Sequence, residues 1–213
     1  MAVFVIEGVD GAGKSEVAKH ASEKFNRIKT LNTSRREDMM PEVRKVLNKN
    51  VERSVESRFV YYLALNQMVD NEIKANPGKD YIKERSIYST KAYHVAYDIY
   101  YNKGANLGAI EELYNAALKS AVKPDLTVFL YVDEAERLKR LMRRDPSKNT
   151  PNDFESDIMK YAEGEFRNIA KALRKDGISV LEINTTDISK EAVAKTVSDA
   201  IMKHMLLERE SKI

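Results

Sequence analysis

Residues 7 to 16 read EGVDGAGKSE, and four of them complete a chemical pattern. Gly8, Gly13, Lys14 and Ser15 satisfy the spacing G-x-x-x-x-G-K-[ST], in which the backbone N–H groups of a glycine-rich loop cradle phosphate oxygens. Gly11 and Gly13 let the main chain approach a polyphosphate closely, Lys14 adds a point charge, and the Ser15 hydroxyl is a ligand for Mg²⁺. Loops of this kind serve GTP switches, ATP-driven motors and small kinases. A switch also needs a guanine-reading N-K-x-D and an Asp-x-x-Gly after the third strand, and the chain has neither. A motor needs an apolar strand ending in metal-binding acids. VFLYVDE (128 to 134) has that outline, but it leads into the basic run RLKRLMRR (137 to 144), so Asp133 and Glu134 read as helix-start acids. A small kinase remains.

A kinase acceptor that already carries phosphate needs fixed cations beside the loop. Arg35 or Arg36 after the second apolar run and Arg85 after the third are placed for that task. Arg137, Arg140 and Arg144, at i, i+3 and i+7, share one side of a helix, and DPSKNTPND (145 to 153) follows with two prolines. Together these predict a basic lid near 137–155 that closes over phosphates.

The elements that must position these groups are legible from periodicity. AVFVI (2 to 6), RIKTLNT (27 to 33), KDYIKE (79 to 84), LTVFLYV (126 to 132) and SVLEIN (179 to 184) read as strands. Segments with helical spacing alternate with them, one being Ile158, Tyr161, Ala162, Phe166, Ile169 and Leu173. The alternation predicts about five parallel strands with helices on both faces and ligands at the strands' carboxyl ends. Lys14 begins the first helix, whose positive end faces the anion. Residues Ser86 to Lys119 read as two helices interrupted at Gly104 and Gly108.

At 213 residues the chain suits a single domain, 1–213. Its 36 basic and 33 acidic residues leave a formal charge of +3, which gives no reason to expect nucleic acid as a partner. There is no cysteine, which excludes thiol chemistry and fits a cytoplasmic setting. The three histidines are scattered, no run suits a membrane span, and the first residues lack the form of a secretory signal.

The chain resembles the thymidylate kinases. FVIEGVDGAGKSE is similar to that family's opening, TSRRED and PEVRKVL (33 to 47) to its arginine-bearing stretch, ERSIYSTKAYH (84 to 94) to its Asp-Arg-aromatic motif, and KPDLTVFLYVDEAERLKR (123 to 140) to its Pro-Asp-Leu strand and lid helix. The resemblance implies a three-layer P-loop NTPase fold, ATP with Mg²⁺, transfer of a phosphoryl group to a deoxynucleoside monophosphate, thymidylate first, and a homodimer. It implies an ATP-binding loop of Gly8, Val9, Asp10, Gly11, Ala12, Gly13, Lys14, Ser15 and Glu16, with Ser15 on the metal. On the acceptor side it implies that Asp10 meets the 3′-hydroxyl, that Arg85 with Arg35 or Arg36 holds the phosphate, that Thr90 faces the base, and that Tyr93 lies against the sugar. In FVYYLALNQMVD (59 to 70) it aligns Leu63 with a base-stacking Phe and Gln67 with a base-reading Arg.

The sequence departs from the family at Leu63 and Gln67, at Glu84, where an Asp is usual, and at Asp153 in NDFE (152 to 155), where an Arg is frequent. The departures leave two alternatives. One is a deoxynucleoside kinase, similar in its E-R-S motif, with Glu37 or Glu84 as base and Gln67 on the nucleoside. The other is a non-catalytic ATP-binding protein. With no lid arginine at 153, the charge that stabilises the transferring phosphoryl group is expected from Arg140, Arg143 or Arg144.

Overall fold

The run VFVIEG has no polar alternation because it forms the middle strand of a sheet, buried along its whole length. The computed structural model describes residues 1–26, 28–33, 41–49, 51–53, 55–146 and 149–210, without the side chains of 41, 48, 51 and 207–210. Its five strands are β1 (Val3–Gly8), β2 (Ile28–Asn32), β3 (Asp80–Glu84), β4 (Leu126–Tyr131) and β5 (Ser179–Asn184). They lie in the order β2-β3-β1-β4-β5 and every pairing is parallel. Central β1 and β4 are buried at every position, whereas edge strands β2 and β5 mix buried and more exposed residues.

Eight helices among the described residues connect and cover the sheet: α1 (Lys14–Lys24), α2 (Pro41–Lys49), α3 (Val55–Ala75), α4 (Ile87–Asn102), α5 (Leu107–Leu118), α6 (Glu134–Arg143), α7 (Ser156–Lys175) and α8 (Lys190–Glu210). α1 packs on α8, and α4 packs on α7 and α3, giving the three-layer α/β arrangement. On α7, Ile158, Ala162, Phe166, Ile169 and Leu173 are buried as expected, but Tyr161 falls outside the apolar stripe and is exposed. Gly104 lies in the turn between α4 and α5, after Lys103 at φ 52°, while Gly108 interrupts nothing and sits in the first turn of α5. Buried Asp98 organises that turn by accepting from the side chains of Asn102 and Asn106 and from the Asn106 N–H.

In register, Ile6 of β1 lies opposite Glu84 of β3 and Val128 of β4. The loop after β1 and the turn after β3 therefore leave the sheet side by side, at the carboxyl edge where α/β sheets bind ligands. The chain from α6 to α7 borders the same edge, with a 3-10 turn at Pro151–Phe154.

Candidate active site

The loop from Gly8 to Ser15 is built for close approach. Gly8 has φ 140°, and a Cβ there would stand 2.2 Å from the Leu130 carbonyl oxygen of β4. Gly13, at φ 96°, caps α1 in the left-handed region that L side chains rarely adopt. Lys14 is buried, and its Nζ donates to the Val9 carbonyl at 2.8 Å and lies 3.9 Å from Asp10. Burial and then nearby Arg85 lower its ammonium pKa to about 8, against the opposing pull of Asp10, Glu84 and Glu7. The Ser15 hydroxyl donates to Glu84 Oε1 at 2.5 Å. Two hard oxygens thus meet at the mouth of the loop, a donor set that fits Mg²⁺.

Arg85 follows β3 with φ 66°, a strained conformation for a residue with a Cβ. Its N–H donates to the Ile6 carbonyl and its own carbonyl accepts from Thr33, so the sheet edge holds the strain in place. The guanidinium donates to Asp10 Oδ1 at 2.6 Å and lies 5.1 Å from the Tyr93 ring. Tyr93 donates to Asp10 Oδ2 at 2.9 Å and accepts from the Asp10 N–H. Burial pushes the Asp10 carboxyl upward, but Arg85 and Lys14 outweigh it and hold the group below its usual range. Beneath this network Glu7, fully buried, accepts from the hydroxyls of Ser86 and Ser89 and ties the start of α4 to β1. Burial is the main reason that its pKa is raised.

A cavity of about 780 Å³ opens from the loop toward α3, α4 and the lid. Lys14, Ser15, Glu84, Arg85, Thr90 and Tyr93 all line it, as does Asp10. Arg35 and Arg36 lie outside the described residues, and so does Glu37. Of the lid arginines, Arg140 and Arg144 reach the cavity. Arg140 donates to the Thr185 hydroxyl at 2.9 Å and to its carbonyl at 2.7 Å, which ties the lid helix to the segment after β5. Arg144 donates to Asn149 at 2.7 Å and to Asp153 at 3.3 Å. Arg143 is exposed and does not line the cavity. Arg137, which shares their expected face, is 1% exposed and bonds Glu134 and the Asp153 carbonyl, so it braces the lid rather than facing phosphates.

The expected wall of α3 is displaced by one residue. Leu63 packs against the core, and Gln67 bonds Asn71 and Ser120 at an outer face, neither lining the cavity. Arg58, Tyr62 and Asn66, at i, i+4 and i+8, turn toward α4 instead. Arg58 and Tyr62 line the cavity, and Asn66 donates to the Thr90 hydroxyl at 2.8 Å. His94, one turn beyond Thr90, completes this wall against the rings of Phe59, Tyr62 and Tyr97. Burial, and then the Arg58 cation, lower the His94 pKa to about 3, so the imidazole is neutral near pH 7. The sequence carried a signal for this wall, the register of Arg58-Tyr62-Asn66 against Thr90-His94. It is distinct from its neighbour only once α3 and α4 are packed together.

Glycine-rich loop, adjacent arginine, basic lid and a cavity beyond them form an arrangement suited to phosphoryl transfer between two bound molecules. The chain is 26% identical over 217 residues to a probable thymidylate kinase of Methanosphaera stadtmanae, an alignment covering 96% of this chain and 99% of that protein. A solved structure of thymidylate kinase from Candida albicans superposes with a TM-score of 0.78 at 22% identity, covering 96% of this chain and 92% of that one. The family model for thymidylate kinase matches residues 6–197, and on that match the chain belongs to the thymidylate kinase family, whose members are phosphotransferases.

Proposed function

We propose that the protein transfers the γ-phosphoryl group of ATP to thymidylate, giving ADP and thymidine diphosphate. The observation that carries the reading is the bridge from Lys14 through Asp10 to Arg85, which joins a donor-phosphate loop to an acceptor-side cation within one cavity. Lys14 and the loop amides hold the donor phosphates, and Arg85, with Arg35 or Arg36, aligns the acceptor phosphate for in-line attack. An acceptor phosphate oxygen forms the new P–O bond as the bond to ADP breaks. Ser15 and Glu84 would hold Mg²⁺, which when bound neutralises charge on the donor phosphates. Arg144, and Arg140 beside it, are the lid cations for the transferring group.

No strong base is required, because the acceptor phosphate is itself a competent nucleophile. Engagement of Glu84 with Ser15 takes that carboxylate away from the role of base that a nucleoside acceptor's hydroxyl would need. Asp10 and Tyr93 orient the sugar. The homodimer is part of the proposal. Val60 and Met68, 52% and 41% exposed on the outer side of α3, offer an apolar stripe for a second copy. The test is product analysis with Mg²⁺, ATP and a panel of deoxynucleoside monophosphates and nucleosides. Thymidine diphosphate from thymidylate is expected. Phosphorylation of bare nucleosides alone, or ATP binding without turnover, would overturn the assignment.

A further inference from the structure

Glu7 is the one acidic side chain of β1, it is fully buried, and it does not line the cavity. A buried carboxylate is costly unless it is hydrogen-bonded, and an apolar residue would continue the pattern of the strand, so its presence needs a reason. The partners supply one. Oε1 accepts from the Ser86 hydroxyl at 2.6 Å and from the Ser89 N–H at 3.3 Å, and Oε2 accepts from the Ser89 hydroxyl. Three donors on two oxygens suit the ionised form, which burial opposes and which the two hydroxyls, Arg85 and Lys14 favour.

All three donors belong to the start of α4, where the leading N–H groups have no partner within the helix. Ser86 accepts from the Tyr88 N–H at 3.2 Å, and Glu7 reaches the Ser89 N–H from 82 positions away, which places negative charge at the positive end of the helix. Ser86 is also the residue directly after Arg85, whose backbone stands at φ 66°. The Arg85 N–H is fixed to the Ile6 carbonyl and the Arg85 carbonyl to Thr33, and Glu7 holds the next residue. Two consecutive residues of β1 thus grip two consecutive residues of the turn. β1 is paired on both sides, so it is the rigid party in this contact.

We propose that Glu7 is a positioning residue for the acceptor phosphate: by holding Ser86 and Ser89 against β1 it keeps Arg85 in its left-handed conformation, with the guanidinium in the cavity. Without that hold the turn relaxes toward an ordinary φ, and the guanidinium leaves Asp10 and the phosphate site. Glu7 touches neither substrate and acts only through the turn. The proposal rests on the reading of Arg85 as the acceptor-phosphate cation.

The experiment measures by calorimetry, on the whole protein, the dissociation constant of thymidylate without ATP and that of ATP with Mg²⁺ but without thymidylate. Glu7→Met keeps the length of the side chain and removes both acceptors. It is expected to weaken thymidylate about tenfold or more and to leave ATP within about threefold. Glu7→Gln restores most of the affinity, because its amide oxygen still accepts from Ser86 and from the Ser89 N–H while its NH₂ donates to the Ser89 hydroxyl. Ser86→Ala removes the hydroxyl between Glu7 and Arg85 without placing a new group in the core, so it serves where Glu7→Met does not fold, and it should weaken thymidylate about fivefold or more. The deciding comparison is a double-mutant cycle. In an Arg85→Gln background, Ser86→Ala should change thymidylate binding by less than about twofold, because the side chain it positions is gone. Equal weakening of thymidylate and ATP, an undiminished effect in the Arg85→Gln background, or unchanged thymidylate binding in Ser86→Ala overturns the assignment and leaves the acceptor reading intact. If Arg85→Gln alone leaves thymidylate binding unchanged, or thymidylate does not bind the unaltered protein, the acceptor reading itself fails and this one with it.

Discussion

Lys14 and Arg85 share one carboxylate, Asp10, and that arrangement governs how each responds to change. Lys14→Ala should lower turnover by about a hundredfold or more, with thermal unfolding shifted by no more than a few degrees; retained activity would sink the kinase reading. The pH dependence follows from the lowered ammonium pKa. The cation that holds phosphate is present below about 8 and is lost as pH rises through it, so kcat/KM for ATP should fall above that value. A profile flat to about pH 10, as for an unperturbed lysine, would contradict this. On α3, Tyr62→Ala should raise KM for the acceptor about tenfold, whereas Gln67→Ala should leave it within about threefold, since Gln67 faces Asn71 and Ser120. The reverse ranking would restore the register read from sequence.

At the scale of elements, the lid divides three of its four arginines between two jobs and leaves Arg143 exposed outside both. Arg137 is buried against Glu134 and the Asp153 carbonyl, so Arg137→Ala strands both and should cost about 2–4 kcal/mol of stability, read by chemical denaturation. Arg144→Gln should instead lower kcat about tenfold or more at nearly unchanged stability, and Arg143→Gln should change neither. Loss of stability without loss of kcat in Arg144→Gln would make it a second brace. The i, i+3, i+7 spacing of Arg137, Arg140 and Arg144 was visible in the sequence. Their division of labour was not, because α6 ends at Arg143 and the chain turns there to an extended residue. Helical spacing says which side chains share a face, but not which face is covered.

Across the whole molecule, the sheet is joined to its helical layer by a buried ion pair, Lys83 of β3 with Asp70 of α3, each 2% exposed. Asp70 also accepts from the Val122 N–H before β4, so one carboxylate links three segments of the chain. Asp70→Ala leaves a buried ammonium unpaired and should cost about 3–5 kcal/mol, a fall of roughly 6–20 °C in Tm for a chain of this size. A shift below about 3 °C would show that the pair is dispensable. The sequence alone determined the strands, the glycine loop and the alternation of layers, because strand and helix periodicities, glycine spacing and the lysine after them are local properties. The tertiary structure decided the rest. Whether Tyr62 or Leu63 faces the cavity, and that Glu84 meets Ser15 across 69 positions, depend on how α3 seats against α4 and how β1 and β3 align. A one-residue change in facing leaves the apolar pattern of α3 nearly intact, so the pattern could not choose between them, whereas packing against a neighbouring helix admits only one.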